Sequence, residues 1–181
     1  MRQLPCVLAA TAALALMAAP VQAATVIGAA KIRITNALPT WLQVGEVQAF
    51  EDLTGVNVAL ASNGATATGS GNFTAASSPD KAIDGLAPAD YPLIYHSNGA
   101  GADEFLEITL AGPTDLSSLT IFGRADSFGN RDVYNVSIFD VGGQTLFSGQ
   151  LDNSALAGGA GTLTFGSTGA VPEPATWAMM I

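Results

Sequence analysis

The sequence predicts an all-β sandwich or jelly roll, on three observations. Short apolar runs rich in β-branched and aromatic residues recur along the middle of the chain. Gly, Pro, Asn, Asp and Ser separate them at short intervals. No stretch sustains a 3.6-residue apolar period between helix caps. Many short strands with frequent turns belong to two-layer β architectures.

Taken in order, Lys31-Ile32-Arg33-Ile34-Thr35 alternates with period two, and residues 41–50 do so in part. Residues 105–110, 119–122, 133–139 and 145–147 read as further strands, with turns expected at 99–103, 111–115 and 141–143. Val136-Ser137-Ile138-Phe139-Asp140 running into Gly142-Gly143 is a strand entering a tight hairpin turn. These elements place the sandwich at residues 30–156. Residues 157–170 are rich in Gly, Ala and Thr; one last strand is expected at Thr162-Leu163-Thr164-Phe165, followed by a flexible linker.

The two ends carry addresses rather than fold. Arg2, an apolar run over residues 7–18 broken only by Thr11, and Val21-Gln22-Ala23 together read as a secretory signal peptide over residues 1–23. Its removal takes away Cys6, the one cysteine, so the mature chain is expected to have no disulfide and no thiol chemistry. At the other end, Val171-Pro172-Glu173-Pro174 and the apolar residues 175–181 resemble the PEP-CTERM sorting signal of Gram-negative bacteria. That resemblance implies export through the periplasm to the cell surface or medium, with sorting machinery as a partner. The apolar segment has seven residues and no basic cluster, against about 20 for a membrane span. The signal over 171–181 therefore reads as truncated, and no stable span is expected in the chain as given.

Charge narrows the partners. The chain has 6 Lys+Arg against 15 Asp+Glu, and losing Arg2 leaves 5 against 15, or −10. An acidic chain with scattered bases has no footprint for a phosphate backbone, so nucleic acid is not an expected partner. Docking on anionic lipid by charge is disfavoured for the same reason. With so few bases, two that lie close together are informative.

Several motifs then line up. Lys31-Ile32-Arg33-Ile34, Trp41 to Phe50 with its Gly45-Glu46-Val47-Gln48-Ala49-Phe50, Asn57-Val58-Ala59-Leu60, Ala65-Thr66-Ala67-Thr68 and Ala82-Ile83-Asp84-Gly85 follow one another. His96-Ser97, Phe105-Leu106-Glu107-Ile108-Thr109-Leu110, Arg124-Ala125-Asp126 and Arg131 complete the series. In order and spacing this resembles the discoidin, or F5/8 type C, group of galactose-binding-like domains, in its fucolectin-like (F-type lectin) branch. The resemblance covers roughly two-thirds of the chain. It implies a discoidin-like jelly-roll fold and a sugar site in which a His and two Arg converge on fucose. The matching positions are His96, Arg124 and Arg131, with 124 − 96 − 1 = 27 residues between the first two.

The residue types suit that chemistry. An Arg fork donates two parallel hydrogen bonds to neighbouring oxygens, and a neutral His adds one donor or acceptor. The lone His and two of the five mature bases fall on these positions. The resemblance gives Asp126 a supporting role, pairing with an Arg. Where several fucolectins carry adjacent cysteines as an apolar platform, this chain has Ser127-Phe128-Gly129-Asn130, and Phe128 is the candidate stacking face. The blander reading is a single structural His, a loop-bracing Arg–Asp cluster and an ordinary loop aromatic.

The same branch often holds a structural Ca²⁺ near the Asp-Gly turn, which makes Asp84 the candidate ligand. Leu86 replaces an expected Asn two residues on, and Lys81 stands where an oxygen-bearing side chain is expected. No other cofactor is implied.

No catalytic set is present. The sequence has no His-Glu-x-x-His, Gly-x-Ser-x-Gly or phosphate loop, and strand alternation puts Glu104 and Glu107 on opposite faces. The expectation is an exported glycan- or exopolysaccharide-binding protein rather than an enzyme. The alternative is an adhesive matrix protein of a biofilm that keeps the sandwich without a sugar pocket. A third reading makes Tyr91-Pro92-Leu93-Ile94-Tyr95 an exposed hydrophobic spike for lipid or protein.

Overall fold

A computed structural model describes residues 25–155 and 159–166, and these form an all-β, antiparallel, sandwich-like fold. The expected signal peptide at 1–23 and sorting signal at 171–181 lie outside the described residues. The strands are β1 (Val26–Asn36), β2 (Trp41–Val44), β3 (Glu46–Glu51), β4 (Thr66–Gly69) and β5 (Tyr95–Ala100). They continue with β6 (Phe105–Phe122), β7 (Val133–Phe139), β8 (Thr145–Asp152) and β9 (Ala160–Thr164). The larger sheet runs β3-β6-β1-β7-β8, with β4 and β9 also paired to β6, while β2 and β5 pair with each other. No helix among the described residues is long and apolar enough to cross a membrane.

The alternation in β1 decides the core. Ile32 and Ile34 lie opposite Ile108 and Leu106 of β6 on one side and Ile138 and Val136 of β7 on the other. All six side chains are fully buried in one row. Removing each from water contributes roughly 1.5–3 kcal/mol before the entropy of ordering is counted. Val47 and Ala49 of β3, opposite Ile121 and Leu119, carry the same core along the far half of β6.

Strand β6 differs from expectation. The turn predicted at 111–115 is part of one continuous strand that unites the two expected strands at 105–110 and 119–122. Its near half pairs with β1 and β4, and its far half with β3 and β9. Gly112 and Pro113 are tolerated because β1 is irregular beside them, with register shifts between Val26, Ala29 and Lys31. There Gly28 takes φ +74°, and its N–H donates to Asp115 Oδ1 at 2.9 Å.

The run at 41–50 is likewise two strands, β2 and β3, divided at Gly45 and paired to different partners. A Cβ on Gly45 would sit 2.6 Å from the carbonyl oxygen of Gly123, so only glycine allows that approach. β9 comes from the segment at 157–170 that was expected to hold a final strand and a linker.

Tyr95 of β5 is fully buried, and its hydroxyl donates to the carbonyls of Phe105 (2.8 Å) and Gly71 (3.1 Å). Its ring tip lies over Gly69, where an added Cβ would come within 2.7 Å of Cζ and 2.9 Å of Cε2. Gly69→Ala is therefore expected to lower stability by about 1–3 kcal/mol through overpacking. Urea denaturation measures this, and an unchanged midpoint contradicts the packing described.

Candidate ligand-binding site

Four chain segments build one hollow. Strand β2 supplies Trp41, and the loop after β4 supplies Phe73, whose N–H donates to the His96 carbonyl at 2.8 Å. The loop entering β5 supplies Tyr91, and β5 itself supplies His96. The loop from β6 to β7 supplies Arg124, Phe128 and Arg131. A parallel bridge between Ala89 and Arg124, with the Ala125 N–H donating to the Ala89 carbonyl at 3.0 Å, ties two of these loops together. The result is an open hollow of about 320 Å³ lined by these seven side chains, at the lower end of the roughly 300–1,000 Å³ found for small-molecule sites.

The three positions singled out by the sequence therefore come together. Around them the structure adds Trp41, Phe73 and Tyr91, which sequence reasoning missed as site residues. Within the segment 91–95, Ile94 and Tyr95 are fully buried and Tyr91 meets the His96 ring edge-on at 5.8 Å between centroids, while Leu93 at its tip is exposed. Phe73 lies 5.0 Å from the same ring.

His96 sits in β5 opposite Gln43 of β2 and is 6% exposed. Its Nδ1 lies 2.9 Å from the Ser97 carbonyl, which can only accept, so Nδ1 carries the proton. The unprotonated Nε2 then accepts from Gln43 Nε2 at 3.1 Å. Burial lowers its pKa below the ordinary value, partly offset by the Ser97 carbonyl, and the Arg124 and Arg131 charges push it further down. His96 is thus a neutral wall with both ring nitrogens engaged, not the open donor that the fucolectin pattern implies.

The two arginines differ. Asp126 grips Arg124 from both sides of its fork, Nε donating to Oδ1 and Nη2 to Oδ2 at 2.6 Å. This bond holds the Asp126 carboxyl down to about 2 and raises Arg124. Asp126 fills the supporting role that the resemblance implies, and the Tyr91 N–H adds a long contact of 3.4 Å to its Oδ1. Nη1 of Arg124 stays open. The Arg131 guanidinium makes no side-chain hydrogen bond among the described residues and instead lies over two rings, 4.2 Å from Phe128 and 5.3 Å from Trp41. Arg124 lies over the other pair, 4.9 Å from Phe128 and 5.0 Å from Tyr91. Phe128 reaches between both arginines from a left-handed backbone, φ 63° and ψ 22°.

Asp84, the candidate calcium ligand, is paired with protein groups. Its Oδ2 lies 3.6 Å from Lys81 Nζ, and its Oδ1 accepts from the Leu86 N–H at 3.0 Å. No group of three or more His, Cys, Asp or Glu side chains among the described residues could hold a metal ion. A second hollow, of about 380 Å³, lies beside Lys31, Arg33 and Glu107. Both of its cations already share Glu107 at 3.3 Å, which leaves it poorer in free donors than the aromatic hollow.

Comparison of the chain with protein-family models, with curated proteins and with solved structures finds no match. What defines the molecule is therefore its own geometry: an antiparallel β-sandwich bearing an open hollow with aromatic walls and two guanidinium groups.

Two carboxyls of the fold are buried at a cost, and one of them, Asp132, directly follows Arg131 of the hollow. Asp132 has no exposed surface and no well-formed hydrogen bond: the Tyr134 hydroxyl donates to the Gln43 carbonyl at 2.7 Å, and its nearness, with that of the Arg124 backbone N–H, offsets the burial only in part. Burial raises Asp132 from 3.8 to about 7. Burial, then repulsion from Asp84, raises Glu46 from 4.5 to about 7. The folded chain holds these protons at pH values where the unfolded chain has released them, so stability falls as pH rises from about 4 to about 7. Asp132→Asn is expected to reduce that loss by about 1–3 kcal/mol. Urea midpoints across this pH range check it, and a variant that loses stability with pH as steeply as the parent contradicts it.

Proposed function

We propose that this chain is an exported carbohydrate-binding protein of the discoidin-like, fucolectin-like kind, which recognises glycan or exopolysaccharide at the cell surface. One observation carries the reading: the three positions picked out by the resemblance, His96, Arg124 and Arg131, line one hollow of a size suited to a sugar ring. Aromatic faces around it suit the C–H face of a saccharide, and the open N–H groups of the arginines suit its hydroxyls. The signal-like sequence at 1–23 and the sorting-signal-like sequence at 171–181 support export.

The hollow is suited to binding rather than to acid–base chemistry. Asp126 is committed to Arg124, both nitrogens of the histidine are engaged, and Asp132, behind the arginines, has no exposed surface from which to reach a ligand. A general acid or base needs a group free to reach the substrate proton.

Glycan-array screening followed by calorimetric titration of the full-length protein tests the reading. The expected outcome is binding at millimolar or tighter concentration that Arg124→Ala weakens roughly tenfold. An absence of binding to any glycan, or binding indifferent to Arg124→Ala, contradicts it.

A further inference from the structure

The bases of this chain are unevenly paired. Lys31 and Arg33 share Glu107, Lys81 lies between Asp80 and Asp84, and Arg124 is clamped by Asp126. Among the described residues Arg131 alone of the Lys and Arg side chains forms no salt bridge, the buried Asp132 acting on it only through space, in a chain with 15 acids to 6 bases. That unpaired cation is in the hollow. The faces of Phe128 and Trp41 attract its charge, but they offer no oxygen to its fork.

We infer that the ligand brings the missing anion: the hollow takes an acidic sugar, a saccharide unit bearing a carboxylate, with Arg131 as the residue that receives it. This deepens the carbohydrate reading above and rests on it. A planar carboxylate matches the guanidinium fork with two parallel charge-assisted hydrogen bonds, stronger than those a neutral hydroxyl pair can form. A phosphate ester suits the hollow less well. Its second charge would turn to Arg124, whose charge Asp126 already balances. The sugar ring itself would lie against the Trp41, Phe73 and Tyr91 walls.

The chain's net charge of −9 opposes an anionic ligand at long range. At physiological salt that field is screened over about 8 Å, so the contact with Arg131 decides the preference. His96 adds no charge of its own, since burial keeps it neutral.

The test is calorimetric titration of the full-length protein at fixed ionic strength with matched neutral and acidic sugars. The pairs are galactose and galacturonate, glucose and glucuronate, and mannose and mannuronate, with galactose 6-sulfate added. At least one uronate is expected to bind roughly tenfold tighter than its neutral partner. Arg131→Gln is expected to bring that ratio close to one, and Arg131→Lys to retain part of it, with thermal midpoints near the parent's because the side chain touches only exposed rings. Neutral and acidic partners bound alike overturn the inference and leave the carbohydrate reading standing. So does tighter binding of the sulfate ester, or a preference that survives Arg131→Gln. If none of the sugars binds, the carbohydrate reading itself falls.

Discussion

Two guanidinium groups facing the same small hollow repel each other, and something must hold both there. Phe128 does so. Its ring lies 4.9 Å from the Arg124 head and 4.2 Å from the Arg131 head, so each cation is drawn to the ring. Phe128 adopts a left-handed backbone there, at a cost of roughly 1–2 kcal/mol for a residue with a Cβ. The turn that follows, Gly129–Arg131, is closed by the Arg131 N–H donating to the Phe128 carbonyl at 2.9 Å. Remove the ring and the two arginines lose their shared anchor, while Trp41 and Tyr91 hold one each.

The same loop is fastened from below by an unfavourable group. Asp132 is buried against Gly123, where any Cβ would lie 1.8 Å from its Oδ2. A left-handed phenylalanine, a carboxyl buried without a well-formed hydrogen bond and a glycine with no room for a side chain all fall between residues 123 and 132. Strain and unsatisfied polarity concentrate where the fold serves something other than its own stability. His96 belongs to the same picture in a quieter way: its hydrogen bonds to Gln43 and Ser97 make it a fixed, uncharged wall.

Local pattern made part of this legible. The alternation of Lys31 to Thr35 and of Val133 to Phe139 predicted strands that pair directly with each other in the core. The hairpin at Val141 to Gly143 followed from its glycines. The continuity of β6 did not, because Gly112 and Pro113 normally end a strand, and the irregular stretch of β1 that accommodates them is remote in sequence. The division at Gly45 was hidden for a similar reason, since the carbonyl that forbids a side chain there belongs to Gly123. The grouping of His96, Arg124 and Arg131 was anticipated from the resemblance to the fucolectin pattern. Their inequality was not: which arginine is clamped, and whether the imidazole keeps a free nitrogen, depends on the β2–β5 pairing and on the bridge between Ala89 and Arg124.

The account turns on a single ring holding two cations, and side-chain NMR of the arginines tests that most directly. The Nε–Hε and Cδ–Hδ signals of Arg124 and Arg131 should both be displaced upfield by the ring current of Phe128. Replacing Phe128 with Ala should move both sets toward their ordinary positions together. If only one arginine responds, or neither does, the ring does not lie between them and the site described is not the one the protein has.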